Sequence, residues 1–493
     1  MVGATVRIAS SRSPEKVMDM EASGGEVRPA ALTPSFWQSV REAIAGSRQD
    51  FTQGPLGRAI LLLAVPMILE MVMESVFAVV DVFWVSKLGA DAVATIGITE
   101  SMLAIVYALA MGLAMSAAAM VARRIGEKNP EEAAVSAVQA IGLGVAVGLL
   151  LGTTGSLLGP KLLQVMGASQ QLIAIGHRYT SVMLGSTFSI LLLFLINAIF
   201  RGAGDAAVAM RVLWLANLIN LVLDPCLIFG LGPFPALGVT GAAVATTTGR
   251  SLGVVFQLVT LARGHSRIVV RRKHLQLQPT VMLRLLRLSA SGILQVLIGT
   301  ASWLGLVRIL SWFGSAALAG YTIGVRVILF ALLPSWGMSN AAATLVGQNL
   351  GARSPDRAER SVWLAGFYNM CFLGGVGLLF LLFAPGLIRL FTSDALVTPF
   401  AVDCLRVVSC GFLFYAYGMV LTQAFNGAGD TLTPTLLNLA VFWLWEIPMA
   451  YLLAVHLGFG PRGVFVAITI AFSTLALVSG LVFRRGRWKL QQV

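Results

Sequence analysis

Charge is what this chain has least of. Asp, Glu, Lys and Arg make up 12% of its 493 residues, against 57% hydrophobic ones. Such a composition cannot cover a water-soluble surface, which excludes an assembly of soluble domains. Cysteine and histidine are also scarce, with four residues of each. Cys226, Cys371, Cys404 and Cys410 all lie in apolar runs, and Cys404 and Cys410 fall on opposite faces of one helix. They read as small packing residues, with no disulfide and no metal expected. The histidines form no ligand pair. A G-x-x-x-x-G-K-[ST] phosphate loop is missing, so the chain has no visible means of using ATP. No Ser/His pairing or G-x-S-x-G turn is present either, so the chain does not read as an enzyme and needs no cofactor.

What is present is hydrophobic length. The mean hydropathy is +0.83, and runs able to cross roughly 30 Å of hydrocarbon recur about twelve times. In the first half they cover 59–86, 92–116, 134–158, 171–200, 208–230 and 239–262. In the second they cover 281–312, 316–346, 360–384, 399–425, 434–456 and 462–483. The runs are unbroken rather than alternating, so the fold class is an all-α polytopic membrane protein and not a barrel.

The chain is also written twice. Gly202-Ala203-Gly204-Asp205 recurs 225 residues later as Gly427-Ala428-Gly429-Asp430. The same displacement carries Gly89 onto Gly314, Gly126 onto Gly351 and Gly238-Val239 onto Gly463-Val464. Two duplicated six-helix bundles with a cavity between them are the expected architecture, one that many secondary transporters share. The domain reading is a tail with a short interfacial amphipathic helix (1–50), an N-lobe (51–262), an inter-lobe loop (263–280), a C-lobe (281–485) and a C-terminal tail (486–493). Within the first tail, 34–46 reads as the helix, with Phe36, Trp37, Val40 and Ile44 on one face, and 1–33 reads as disordered.

Basic residues orient the bundle. Arg123, Arg124, Lys128, Arg201, Arg211, Arg353, Arg357 and Arg360 fall in alternate loops, and the inter-lobe region adds a run from Arg263 to Arg287. The other loops hold few: Lys87, Lys161, Arg389 and Arg462. Both termini are therefore expected in the cytoplasm, most naturally of a bacterial inner membrane. The asymmetry also accounts for most of the net charge of +13. No soluble basic module gathers that charge, so no nucleic-acid partner is expected.

Carboxylates inside lipid are costly and ask for a reason. Glu70, Glu74 and Asp81 lie on the first span within about 40° of one another, forming an acidic stripe. On the fifth span Asn217, Asn220 and Asp224 follow at i, i+3 and i+7. Asp81 and Asp224 both sit roughly 12 Å below the outer turn, and Thr246 returns to that depth on the sixth span. Such oxygens suit a shared proton or a hard monovalent cation, and the residues alone do not separate the two. Glu70, Glu74 and Asn217 read as cavity or relay positions, or as ties between helices.

The second half lacks this set: Asp81 falls on Leu306, Glu74 on Gly299, Glu70 on Gln295 and Asp224 on Met449. It carries Arg308, Arg326 and Glu446 instead. Arg326 and Glu446 form a C-lobe polar site, read more readily as a structural ion pair than as cavity lining. Arg250 is placed to answer the N-lobe acids. Pro66 and Pro448 can bend their helices, and each G-A-G-D aspartate can cap the helix that follows it.

These features together resemble the MATE (multidrug and toxic compound extrusion) family. The carrying segments are Phe51-Thr52-Gln53-Gly54-Pro55-Leu56-Gly57, Val65-Pro66, Val80-Asp81, Asn220-Leu221-Val222-Leu223-Asp224-Pro225 and Gly241-Ala242-Ala243-Val244-Ala245-Thr246, with the two G-A-G-D turns. Having aspartate at both 81 and 224 looks like the DinF-like branch. The resemblance implies a cation site at Asp81, Asn220, Asp224 and Thr246, a hinge at Pro66, and a monomer. It also implies a multidrug antiporter that exports small organic compounds against H⁺ or Na⁺, with no ATPase subunit. Glutamate on the seventh helix, found in other branches, is replaced by Gly299, and Glu446 stands where relatives often carry arginine. The rival readings are a lipid-linked oligosaccharide flippase, which Arg250, Arg308 and Arg326 would serve, and a non-transporting receptor or scaffold.

Overall fold

A computed structural model of the chain describes residues 35–264 and 266–491. The disorder expected for residues 1–33 lies outside the described residues. The first half runs through α1 (Phe36–Ala45), α2 (Leu56–Ser86), α3 (Ala90–Gly126), α4 (Pro130–Val165), α5 (Gln170–Gly185), α6 (Thr187–Ala203), α7 (Ala206–Phe229) and α8 (Val239–Arg263). The second runs through α9 (Pro279–Leu310), α10 (Ser315–Gly351), α11 (Pro355–Arg389), α12 (Thr398–Ser409), α13 (Phe412–Ala428), α14 (Leu432–Asn438), α15 (Ile447–Tyr451) and α16 (Pro461–Arg484).

Among the described residues ten of these helical segments are long and apolar enough to cross a membrane, the bent α12–α13 pair makes an eleventh, and α8 completes the two sets of six that the apolar runs predict. α5 and α6 form one crossing, and α12 and α13 another, bent by 61°. The two breaks, at Ser186 and at Cys410–Gly411, respect the internal repeat. α8 is the least apolar crossing because Thr246, Thr247, Thr248, Arg250 and Ser251 interrupt it. It is tolerated because that face is turned into the bundle, where Thr246 and Arg250 are buried. The eleventh crossing is irregular. Pro448 lacks an amide hydrogen, and π-helical turns at Leu439–Glu446 and Leu452–His456 flank it.

Several helices outrun their apolar cores. α3 continues ten residues past the expected end at 116 because its basic last turn finds partners at the bundle's Lys/Arg-rich end. Arg124 pairs with Glu127 at 2.7 Å, and Arg123 donates to the Gln491 carbonyl at 2.8 Å.

The lobes meet through four helices. α2 packs on α10, α9 on α3, and α3 on α10, the pattern that a two-fold relation between the halves requires. Hydrocarbon offers no hydrophobic drive between helices, so close backbone approach has to supply the adhesion. Glycine supplies it at repeat-related positions. A Cβ on Gly126 would overlap the Gln348 carbonyl, and one on Gly351 would overlap the Arg123 carbonyl. Nearer the middle, Gly337 lies against the Met67–Ile68 backbone of α2, and Gly112 against Ser289 and Ile293 of α9. Each contact is the image of its partner under the 225-residue shift. Buried Ile60, Leu63, Leu345 and Phe425 fill the space around them, and Gln348 and Thr344 donate to the carbonyls of Gly202 and Arg201. The basic end is thereby sealed.

A strap covers the seal. The segment 46–55 is held by Arg267, which donates to the Ser47 and Gln49 carbonyls and stacks on Phe51. Arg357 from the C-lobe reaches the Gln53 carbonyl at 2.9 Å. Burial would raise the Asp50 carboxyl, but hydrogen bonds from Lys128 and Thr52 outweigh it and bring its pKa down to about 2. The clasp therefore stays ionised at physiological pH. α1 lies beside it with Ser39 and Ala43 buried, while Phe36 and Trp37 face outward.

The aspartates of the two G-A-G-D turns have diverged. Gly204 and Gly429 both close their helices in the left-handed conformation, at φ 88° and 85°. Asp430 accepts from the Thr433 amide, as a cap should. Asp205 does not cap: it accepts from the Arg267 amide at 2.6 Å and pairs with that guanidinium. The inter-lobe region supplies a stronger donor than the helix start does.

The crossing is open to test. Gly126→Val should force α3 from α10 and cost about 1–3 kcal/mol of packing. In a background lacking the native cysteines, a cysteine at Thr344 should then label several-fold faster with an impermeant maleimide applied at the basic end. Unchanged labelling would mean that this crossing does not form the seal.

Candidate functional site

Two carboxylates define the site inside the N-lobe. Asp224 of α7 is completely buried, while Asp81 of α2 is half-buried and the two lie within electrostatic range. The helical spacing already explains why Asp224 shares a face with Asn217 and Asn220, all three being buried. The best-satisfied orientation of the Asn220 amide donates to Asp224 Oδ2 at 2.8 Å. Its oxygen then accepts from the Thr246 amide and hydroxyl of α8, at 3.0 and 2.9 Å. Close approach of α8 makes this reach feasible: a Cβ on Gly249 would lie 2.5 Å from the Ala216 carbonyl of α7. Asp81, Asn220, Asp224 and Thr246 are thus brought together. No basic side chain is hydrogen-bonded to either aspartate among the described residues.

The other two acids of the stripe are engaged differently. Glu74 accepts from Asn217 at 3.3 Å. Glu70 is buried and pairs with Arg201 of α6 at 2.6 Å, with Asn197 donating to the same oxygen. Gln257 of α8 donates to Asn197 in turn, at 2.7 Å. Glu70 therefore belongs to a charge-neutral tie among three helices, and the stripe is one face serving separate partners. The linear sequence assigns Arg201 to a basic loop; folding turns it inward, because α6 continues to Ala203.

Arg250 is buried in α8 and donates to the Tyr107 hydroxyl of α3 at 3.1 Å. It also lies within electrostatic reach of Glu74 and Asp81, so it does answer the N-lobe acids. Glu100 of α3, unremarked in the sequence, lies within electrostatic range of Asp81, Arg250 and Arg326. A single carboxylate in the first third of a long helix carries no periodic signal; its depth alone marks it.

The expected ion pair between Arg326 and Glu446 does not form. Arg326 is exposed on α10 and lies within reach of Glu100. Glu446, by contrast, is 3% exposed and lines a C-lobe cavity of about 390 Å³. The two residues face different spaces, which linear spacing between different helices cannot reveal. A second cavity of about 300 Å³ lies in the N-lobe, lined by Glu70, Glu74, Asn197 and Arg201. Both cavities share Met111, Met115, Leu333, Trp336 and Gln423, so they adjoin at the lobe interface. Pro66 is buried within a continuous α2, one residue from the Met67–Ile68 contact with Gly337.

Among the described residues no group of three His, Cys, Asp or Glu side chains is placed to hold a metal. Cys404 is buried and Cys410 exposed, and all four cysteines are free.

Comparison with known proteins agrees with this architecture. A probable multidrug resistance protein NorM of Thermotoga maritima is 24% identical over 444 residues, covering 88% of this chain and 94% of its own. An FAD transporter of Shewanella oneidensis is 26% identical, covering 82% of this chain and 90% of its own. A crystal structure described as MATE in the straight conformation superposes with a TM-score of 0.84 at 26% identity, covering 90% of this chain and 98% of that one. The MatE family model matches twice, over residues 66–226 and 291–452, and the two matches begin 225 residues apart. A duplicated twelve-helix bundle with that register, and carboxylates buried in its first half, belongs to the MatE family of membrane transporters.

Proposed function

We propose that this chain is a cation-coupled antiporter that exports small organic compounds from the cytoplasm of a bacterial cell. The observation that carries the reading is Asp224, fully buried beside Asp81, with the Asn220 amide as its side-chain partner and no basic side chain bonded to it among the described residues. Two carboxylates held together, one of them fully buried, cannot both stay ionised cheaply, and binding a cation relieves the repulsion. The hydrogen-bond pattern speaks against a bare hard cation. Asn220 turns its N–H, not its oxygen, toward Asp224, and its oxygen is occupied by Thr246. A bare hard cation needs a full oxygen shell, which the site lacks unless the amide turns.

In this mechanism the structure is the state sealed at the basic, cytoplasmic end. Protonation of the pair from outside removes charge between α2 and α7, lets them close, and favours release of the substrate. Pro66 sits where α2 leaves the α10 crossing, so bending there would pass motion from the site to the seal. Exchange follows because substrate and proton each favour a different state of one bundle. Glu74 and Asn217, which line or border the N-lobe cavity, stand between the pair and the substrate space. The outward Phe36 and Trp37 suit α1 to lie in the inner membrane surface. A monomer operates by this scheme without a further subunit.

The rivals fare worse on charge. A lipid-linked pyrophosphate or a dinucleotide is a polyanion and wants a cationic cavity. Here the cavities are lined by Glu70, Glu74 and Glu446 against Arg201 alone, and Arg308 and Arg326 are exposed outside them. A receptor or scaffold would have no use for a buried aspartate with no basic partner.

Two outcomes are expected. Uptake of a fluorescent organic cation into inside-out vesicles should be driven by an imposed proton gradient and fall at least about tenfold in both Asp81→Asn and Asp224→Asn. Undiminished uptake in both variants would exclude this pair from coupling, and dependence on a sodium gradient would reassign the ion. Glu70→Gln should instead act on the fold. Leaving Arg201 buried without its partner should cost about 3 kcal/mol or more in detergent melting, and Glu70→Gln/Arg201→Met should recover much of it. A melting temperature unmoved by Glu70→Gln would mean that Glu70 is not a structural tie.

A further inference from the structure

Two opposite charges stand outside the N-lobe cavity, one on each lobe, and the coupling site uses neither. Glu100 of α3 and Arg326 of α10 are both exposed. Among the described residues neither makes a hydrogen bond or an ion pair. Their level follows from the helix crossing at the sealed end. Glu100 precedes Gly126 by 26 residues, and Arg326 precedes Gly351 by 25. At 1.5 Å per residue both stand roughly 38 Å along their helices from the contact between the lobes. The internal repeat agrees, since the 225-residue shift carries Glu100 onto Val325, the neighbour of Arg326.

Their direction follows from helical periodicity. α3 lines the N-lobe cavity with Tyr107, Met111 and Ala118, and Glu100 lies within about 20° of all three around the helix. α10 lines the same cavity with Leu333, Asn340 and Thr344, which fall within about 40° of Arg326. Each charge stands seven residues outside the first of its stripe, Tyr107 or Leu333, about 10 Å further from the seal. Both therefore continue the cavity-lining faces of their helices and do not point to lipid. Glu100 lies within electrostatic range of Arg326 and also of Arg250. Arg250 belongs to the same lobe as Glu100 and already donates to Tyr107. Arg326 belongs to the other lobe, so a relative motion of the lobes changes its separation from Glu100.

We propose that Glu100 and Arg326 are the two halves of an outer gate. They stand apart in the present state, which is sealed at its basic end, and meet as an ion pair over the N-lobe cavity when that seal opens. Closure expels water from between them, and the attraction strengthens as the local dielectric falls. Two like charges at these positions would be trapped together in the same closing mouth, at a cost that holds it open. The pair thus biases the exchange between the two states without touching substrate or the coupling aspartates. The gate rests on the exporter reading only in requiring that the bundle have a second state. Closure itself needs no gradient, no substrate and no Asp81 or Asp224 chemistry.

The measurement is made at the far end of the molecule, where a local charge cannot mimic the effect. Full-length chain lacking the native cysteines and carrying Thr344→Cys is placed in inside-out vesicles with no ion gradient. An impermeant maleimide added to the medium then labels the seal only when the basic end opens. Glu100→Lys and Arg326→Glu should each slow labelling about fivefold. The exchanged pair Glu100→Lys/Arg326→Glu should return the rate to within about twofold of native. An unchanged rate in either single variant overturns the gate. A rate that the exchange does not restore also overturns it, and places the partner of Glu100 in its own lobe at Arg250. Should labelling be too slow to measure, cross-linking in the same cysteine-free background decides. Glu100→Cys/Arg326→Cys should form a disulfide with copper phenanthroline, whereas Ile105→Cys/Arg326→Cys, with Ile105 exposed on another face of α3, should not. No cross-link in the first pair, or equal cross-linking in both, rejects the gate. Proton-driven uptake in the Asp81 and Asp224 variants enters none of these measurements, so the two readings fail separately.

Discussion

Backbone-to-backbone contact between α3 and α10, made where Gly126 and Gly351 each face a carbonyl of the other helix, is the constraint from which the architecture follows. In lipid the helices gain nothing by hiding apolar surface from one another, so adhesion has to come from van der Waals packing at short range. Any side chain at these positions would part the lobes. With the crossing in place, Gln348 and Thr344 reach carbonyls on α6, the strap finds both Arg267 and Arg357, and one end of the bundle closes. The cavities are what remains above that seal.

Duplication makes such a crossing economical and also explains the asymmetry of function. A repeated scaffold needs its glycines in both copies, because each copy contributes one side of the same contact. It does not need its acids in both. The N-lobe keeps Asp81 and Asp224 at one depth and answers its other carboxylates with Arg201 and Asn217. The C-lobe has lost every one of these positions and carries Glu446 on an irregular helix instead. The two halves thereby differ in the chemistry of their buried side chains on scaffolds related by one sequence register. Glycines serve shape and carboxylates chemistry, and the two halves share the first class of residue and not the second.

Much of this was legible from the linear sequence. Twelve crossings follow from hydrophobic run length, because the bilayer imposes a single length scale and forbids unsatisfied backbone. Two bundles follow from the 225-residue register. Asp81, Asn220, Asp224 and Thr246 could be placed at one level because rise per residue is constant along a helix. Periodicity gives depth along a helix and the face on which a residue lies, and those two quantities were enough for this group.

Direction between helices is the quantity that periodicity lacks, and each departure from expectation traces to it. Arg326 and Glu446 face different spaces, so no ion pair forms between them. Glu70 reads as part of an acidic stripe until Arg201, counted among loop residues, turns inward to meet it. Asp205 reads as a helix cap until the inter-lobe region brings Arg267 to it. By itself the sequence determined the number of helices, their pairing into halves and the level of the buried acids, all of which depend on local geometry and on the membrane. Only the tertiary structure decided which acid is neutralised and which stands open to a cavity. That outcome depends on how neighbouring helices rotate about their own axes, and packing against the rest of the bundle sets that rotation.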